Sequence, residues 1–132
     1  MKRFAIITAL LVCLTAGARA QVLNDAVCGS AANGCVLQAS PGLFYGAYAE
    51  CTSACWLMVF NSTTVPGNGA TTAGKASGNL VECIDIAANG SKILQYNFAP
   101  IVMTTGISVA ISSTACATLT LSAVGFVHGW FQ

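Results

Sequence analysis

The sequence predicts an all-β fold: a single-domain, antiparallel β-sandwich of jelly-roll-like type, stapled by disulfides. Three observations lead there. Short apolar stretches recur between clusters of Gly, Pro, Asn, Ser and Thr. Two of those stretches alternate strictly with polar residues, and no segment beyond the N-terminal region keeps a helical period. Roughly seven or eight strands separated by turns is the pattern of a sandwich or jelly roll.

Taken from the N-terminus, Met1-Lys2-Arg3 is a positive cap on an apolar run, Phe4 to Leu14, broken only by Thr8. Ala18 and Ala20 then make an A-x-A cleavage site before Gln21, so residues 1–20 are expected to be a signal peptide. The run is shorter than the ~20 residues a membrane span needs. Val12 precedes Cys13 where lipidation requires a small residue. The expected destination is secreted or periplasmic, with residues 21–132 forming the β-sandwich domain.

Removing the leader leaves 132 − 20 = 112 residues, with Lys75 and Lys92 against Asp25, Glu50, Glu82 and Asp85, a balance of 2 − 4 = −2. Without a basic patch, nucleic-acid binding by phosphate neutralisation is excluded. No later segment is long and apolar enough for a transmembrane helix. Six charged side chains fall far below the usual share of about a quarter. Little charge repulsion then keeps copies apart, which points to a homo-oligomer or a partner in an assembly.

Along the domain, residues 21–34 read as an irregular lead-in pinned by Cys28. Cys35 to Ala39 is a strand that stops at Ser40-Pro41-Gly42. Leu43 to Cys51 follows, with Leu43, Tyr45, Ala47 and Ala49 on one face. Cys55 to Asn61 is apolar on both faces and therefore a central strand or an interface. Residues 62–79 are Thr/Gly/Asn/Pro-rich and expected outside the core. Leu80 to Ile86 is a strand, Asn89-Gly90 a tight turn, and Lys92 to Phe98 a strand ending before Pro100. Ile107, Val109 and Ile111 mark a half-buried strand, and Leu119 and Leu121 another. The apolar face then changes at Val124, Phe126 and Trp130, which implies a bulge near Ala123 to Gly125.

Six cysteines remain after cleavage: Cys28, Cys35, Cys51, Cys55, Cys83 and Cys116. In an exported chain they read as up to three disulfides, with 15 connectivities open. A zinc site on Cys51-x3-Cys55 with Cys28 and Cys35 is the rival, disfavoured by the oxidising compartment and the lack of a nearby His. His128 shares a face with Phe126 and Trp130, and no motif sets a nucleophile or acid beside it. Glu82 and Asp85 point to opposite faces of one strand, which leaves Glu50 with either of them as a hydrolase pair. No catalytic residue, cofactor or metal is assigned. Most aromatic side chains belong to the core, while Tyr45, Tyr48 and Trp130 are candidates for a ligand-facing, sugar-stacking platform.

The run W-L-M-V-F-N-S-T-T-V-P-G-N-G-A (Trp56 to Ala70), V-E-C-I (Val81 to Ile84) and T-T-G-I-S-V-A-I-S-S-T-A-C-A-T-L-T (Thr104 to Thr120) resembles small β-rich proteins encoded in phages and prophages. The resemblance covers about residues 56–132 and implies a virion-associated structural protein without catalytic activity. It also implies that Cys83 pairs with Cys116. The export signal and the four cysteines between 28 and 55 depart from that pattern, and suggest a related fold put to use outside the cell.

The function expected is therefore an exported, non-enzymatic structural or surface-interaction protein. The alternative is a secreted carbohydrate-binding module, which needs coplanar exposed aromatics and would make a glycan the partner. An outer-membrane β-barrel, suggested by the aromatic strand Val124 to Phe131, and a hydrolase follow.

Overall fold

The computed structural model of the protein describes residues 23–29, 34–71 and 79–132. The expected signal peptide, residues 1–20, lies outside these. Among the described residues the chain forms β1 (Asn24–Cys28), β2 (Cys35–Gln38), β3 (Gly42–Cys51), β4 (Cys55–Phe60), β5 (Leu80–Ile86), β6 (Gly90–Gln95), β7 (Ile101–Met103), β8 (Ile107–Ser112) and β9 (Gly125–Phe131). They make two antiparallel sheets. Sheet A runs β1-β9-β3-β6, with β7 also on β3, and sheet B runs β2-β8-β4-β5. The protein is an all-β, disulfide-stapled fold of two facing sheets, and the barrel suggested by the aromatic C-terminus does not form.

Both sheets fill the core. Sheet A turns inward small residues (Ala26, Ala47, Ala49, Gly129) together with Phe44, Met103, Val127 and Phe131, and these pack on Leu37, Leu57, Val59, Ile107, Val109 and Ile111 of sheet B. A Cβ on Gly129 would run into Leu37 Cδ1, so this position has no room for a side chain. Among the described strands the chain crosses between sheets six times, and disulfides hold two of the crossings: Cys28–Cys35 joins the end of β1 to the start of β2, and Cys51–Cys55 the end of β3 to the start of β4. All four sulfurs are thereby committed to disulfide bonds, which removes the zinc alternative.

The two sheets differ in what lies outside them. Strand β4 is central and buried on both faces, as its unbroken apolar run predicts. Its outward Met58 and Phe60 join Ala110 and Leu119 in a second cluster that Val65, Leu80, Cys83 and Leu121 complete. The cover comes from segments 61–71 and 113–124. Gly69 N donates to Leu119 O (2.7 Å), Leu119 N to Ala70 O (2.9 Å), and Leu121 N to Asn68 Oδ1 (2.9 Å). Cys83–Cys116, the pair the resemblance implies, ties this cover to β5.

Several expectations are corrected. The lead-in contains a strand, β1, because its backbone pairs with β9 in spite of its plain composition. In β3 a bulge at Tyr45 shifts the alternation, so Phe44, not Leu43, goes into the core with Ala47 and Ala49. Residues 62–71, expected to stand clear, lie on sheet B. There Val65 packs into the second cluster, and Thr64 O accepts a bond from Ser108 Oγ (3.1 Å). For that reason β8 is buried on both faces rather than half-buried.

Residues 118–122 do not form a strand. Instead Ser112 Oγ, fully buried, accepts from Thr114 N (3.2 Å) and Thr120 N (3.0 Å) and donates to Thr118 O (3.3 Å). Side-chain oxygens here replace a sheet ladder. The strand expected to reach Phe98 stops at Gln95, and the chain returns to β3 only at Ile101.

Candidate functional site

Among the described residues, the outer face of sheet A carries no such cover. Cross-strand register sets its side chains in rows. One row is Val27–His128–Tyr48–Ile93, across β1, β9, β3 and β6. On one side of it lies Asp25–Trp130–Gly46–Gln95, and on the other Phe126–Glu50–Ser91. Residues opposite one another in an antiparallel ladder share a face, so these side chains all point outward. Val27 is 59% and Ile93 55% exposed, unusual for β-branched side chains.

Polar groups tie the face together. Tyr48 Oη donates to Glu50 Oε1, and this bond holds the Tyr48 hydroxyl above its ordinary value of 10.0, with a hydrogen bond to Ser91 opposing it. His128 Nε2 lies 3.1 Å from Asp25 Oδ2 on the neighbouring strand. Tyr48 meets the edge of Phe126 (centroids 5.9 Å, 64° between planes), and His128 meets Trp130 at 80°. Trp130 lies over Gly46, where a Cβ would come within 3.1 Å of its Cε2.

Of the three aromatics expected to face a ligand, Tyr48 and Trp130 share the outer face in adjacent rows. Tyr45 is only 9% exposed, and its Oη donates to Gln132 Oε1 (3.2 Å). The rings that do meet on this face do so edge to face, which gives a corrugated surface rather than a flat stacking platform.

At one end of the same face, where β3 ends and β6 and β9 begin, lies an open groove of about 490 Å³. Val124 and Phe126 wall it, Cys51, Gly90 and Gly125 lie along it, and Glu50 reaches it from β3. Gly125 has no room for a side chain, since a Cβ there would point at the buried Ile111 Cδ1, 2.7 Å away. Thr52, Asn89 and Ser91 add polar rims.

The acids weighed as a hydrolase pair stand apart. Glu50 bonds Tyr48 on the outer face of sheet A. Asp85 is held by Lys92 Nζ at 2.8 Å, which lowers its carboxyl below the usual range. Glu82 bonds Tyr96, whose hydroxyl is pushed up to about 12 by burial first and by Glu82 second.

Sequence reasoning found the shared face of Phe126, His128 and Trp130, but not Val27, Ile93, Glu50 or the groove. Those need the pairing of β1 and β6 with strands distant in the chain, which no local pattern encodes. The chain matches no known protein family, no characterised protein and no solved structure.

Proposed function

We propose that this is an exported, non-enzymatic structural or surface-interaction protein that associates with further copies of itself through sheet A. The observation that carries the reading is the difference between the two sheets. The chain lays two segments and a disulfide over the outer face of sheet B, whereas on sheet A no described segment covers the exposed Val27 and Ile93 or the half-buried Tyr48, Phe126 and Trp130. An exposed apolar-aromatic patch rimmed by polar groups is the usual mark of an interaction surface. The low charge leaves little to oppose self-association. Export rests on the N-terminal leader pattern, with which three disulfides are compatible.

The strand order supports a jelly roll. With the short β7 counted as a continuation of β6, sheet A reads first-eighth-third-sixth and sheet B second-seventh-fourth-fifth, the arrangement of two Greek keys. That architecture serves viral capsid proteins and lectins alike, so it is compatible with the phage-like structural reading and with the carbohydrate-binding one.

The test is the mass of the exported, purified protein by multi-angle light scattering, repeated for Ile93→Lys. A defined oligomer that Ile93→Lys dissociates supports the reading, and a monomeric parent protein sinks it. The second reading, a carbohydrate-binding module, draws on the polar groups rimming the groove beside Phe126. A glycan array with a reproducible hit on a monomeric protein would favour it.

A further inference from the structure

Between Gln95 and Ile101 the edge of sheet A is interrupted. Five residues, Tyr96 to Pro100, stand opposite the single residue Tyr45 of β3. The protrusion is firmly rooted. Tyr96 N donates to Tyr45 O (2.8 Å), the Tyr96 ring packs at 6.2 Å from Phe44, and its hydroxyl bonds Glu82. On the far side Ile101 packs against the core. From this fixed base Asn97, Phe98 and Ala99 project into solvent, and Phe98 is fully exposed. A rigidly presented, wholly uncovered phenyl ring is the kind of side chain that anchors interfaces.

The groove lies at the other end of the same strands. It opens at Gly90 and Ser91, where β6 begins, whereas Phe98 follows Gln95, where β6 ends; five steps of about 3.4 Å place them about 17 Å apart or more along the strand. An exposed aromatic at one end and an apolar-walled groove at the other cannot meet within one molecule, but they can meet between two.

We infer that Phe98 of one copy seats in the groove walled by Val124 and Phe126 of the next, so that copies join head to tail. This rests on the self-associating reading above and specifies its contact. The occupant is a second copy because the same chain supplies both halves, and because few charges stand in the way: among the described groove-lining residues only Glu50 is charged, and it is engaged by Tyr48. Such a contact pairs two different patches. It therefore leaves one free knob and one free groove at the ends, and closes only as a ring.

The experiment uses Phe98→Ser, which removes the knob, and Val124→Asp, which puts a charge on the groove wall at a residue 62% exposed. Both changes lie on the surface, and an unchanged thermal midpoint checks the fold. By light scattering, each variant alone is expected to be a monomer. An equimolar mixture is expected to form a dimer and nothing larger, since Phe98→Ser keeps a sound groove and Val124→Asp a sound knob. Variants that keep the parent oligomer's mass overturn the inference and leave the self-associating reading standing. A mixture that stays monomeric overturns the head-to-tail geometry, and a monomeric parent protein overturns both. Glycan binding that Val124→Asp abolishes in a monomeric protein assigns the groove to a sugar instead.

Discussion

Removing the Cys83–Cys116 bond by Cys83→Ala/Cys116→Ala opens a loop whose ends are 33 residues apart. In the chain-entropy account, closing such a loop costs the unfolded chain about 12.5 cal/mol/K, or about 3.7 kcal/mol at 25 °C. The corresponding figure for Cys51–Cys55, four residues apart, is about 1.9 kcal/mol. Against a total stability of about 5–15 kcal/mol, the longer bridge is a large share. Urea unfolding of the variant should therefore show its midpoint falling by an amount equivalent to about 3–4 kcal/mol. Its denaturant slope should rise as well, because the unfolded chain loses a cross-link and exposes more surface. A loss below about 1 kcal/mol, or a lower midpoint with an unchanged slope, would refute the reasoning. The bond's contribution would then be packing of Cys83 against Met58 and Leu119.

Three further outcomes follow from particular contacts. Ser112→Ala strips the buried acceptor from Thr114 N and Thr120 N, and should cost about 1–3 kcal/mol in a thermal or urea melt. Gly129→Ala sets a methyl against Leu37 between the sheets, and should cost about 1–3 kcal/mol, relieved in part by Leu37→Val. Tyr96, raised to about 12, should ionise well above the ordinary tyrosine value of 10.0 in an ultraviolet titration. Its folded value lies above its unfolded one, so its contribution to stability is complete below about pH 10 and is lost as the pH climbs through about 12. Glu82→Gln should bring that ionisation to lower pH, and no movement would show that Glu82 plays no part.

The strand content was legible because it is written locally. Alternation picks out Ile107, Val109 and Ile111, the unbroken run from Cys55 marks a two-sided central strand, and Asn89-Gly90 turns between β5 and β6 as expected, with Asn89 at a φ of 52°. The failures come from partners remote in sequence. Asn24 to Cys28 is a strand only because β9 pairs with it, and Val65 is buried only because Met58 and Phe60 need a cover. Thr118 and Thr120 have the alternation of a strand, but their neighbourhood is satisfied by Ser112 and Thr114 hydroxyls instead. The candidate face was half visible. Trp130, His128 and Phe126 lie on one strand and so declare themselves, whereas Ile93 and Val27 reach the same surface only through register.

The break between β6 and β7 also bears on aggregation by strand addition. A chain with so few charges cannot rely on repulsion to keep an open sheet edge from recruiting strands of other molecules, the route to fibrillar aggregates. Here the outermost strand of sheet A is only six residues long before the backbone leaves the ladder, and a five-residue step separates it from a three-residue remnant. An incoming strand would find no continuous row of amides to bind. The interruption gives by backbone shape the protection that lysines give on other edges, and deleting residues 97–100, which leaves Tyr96 alone opposite Tyr45, should make the protein polymerise by strand addition.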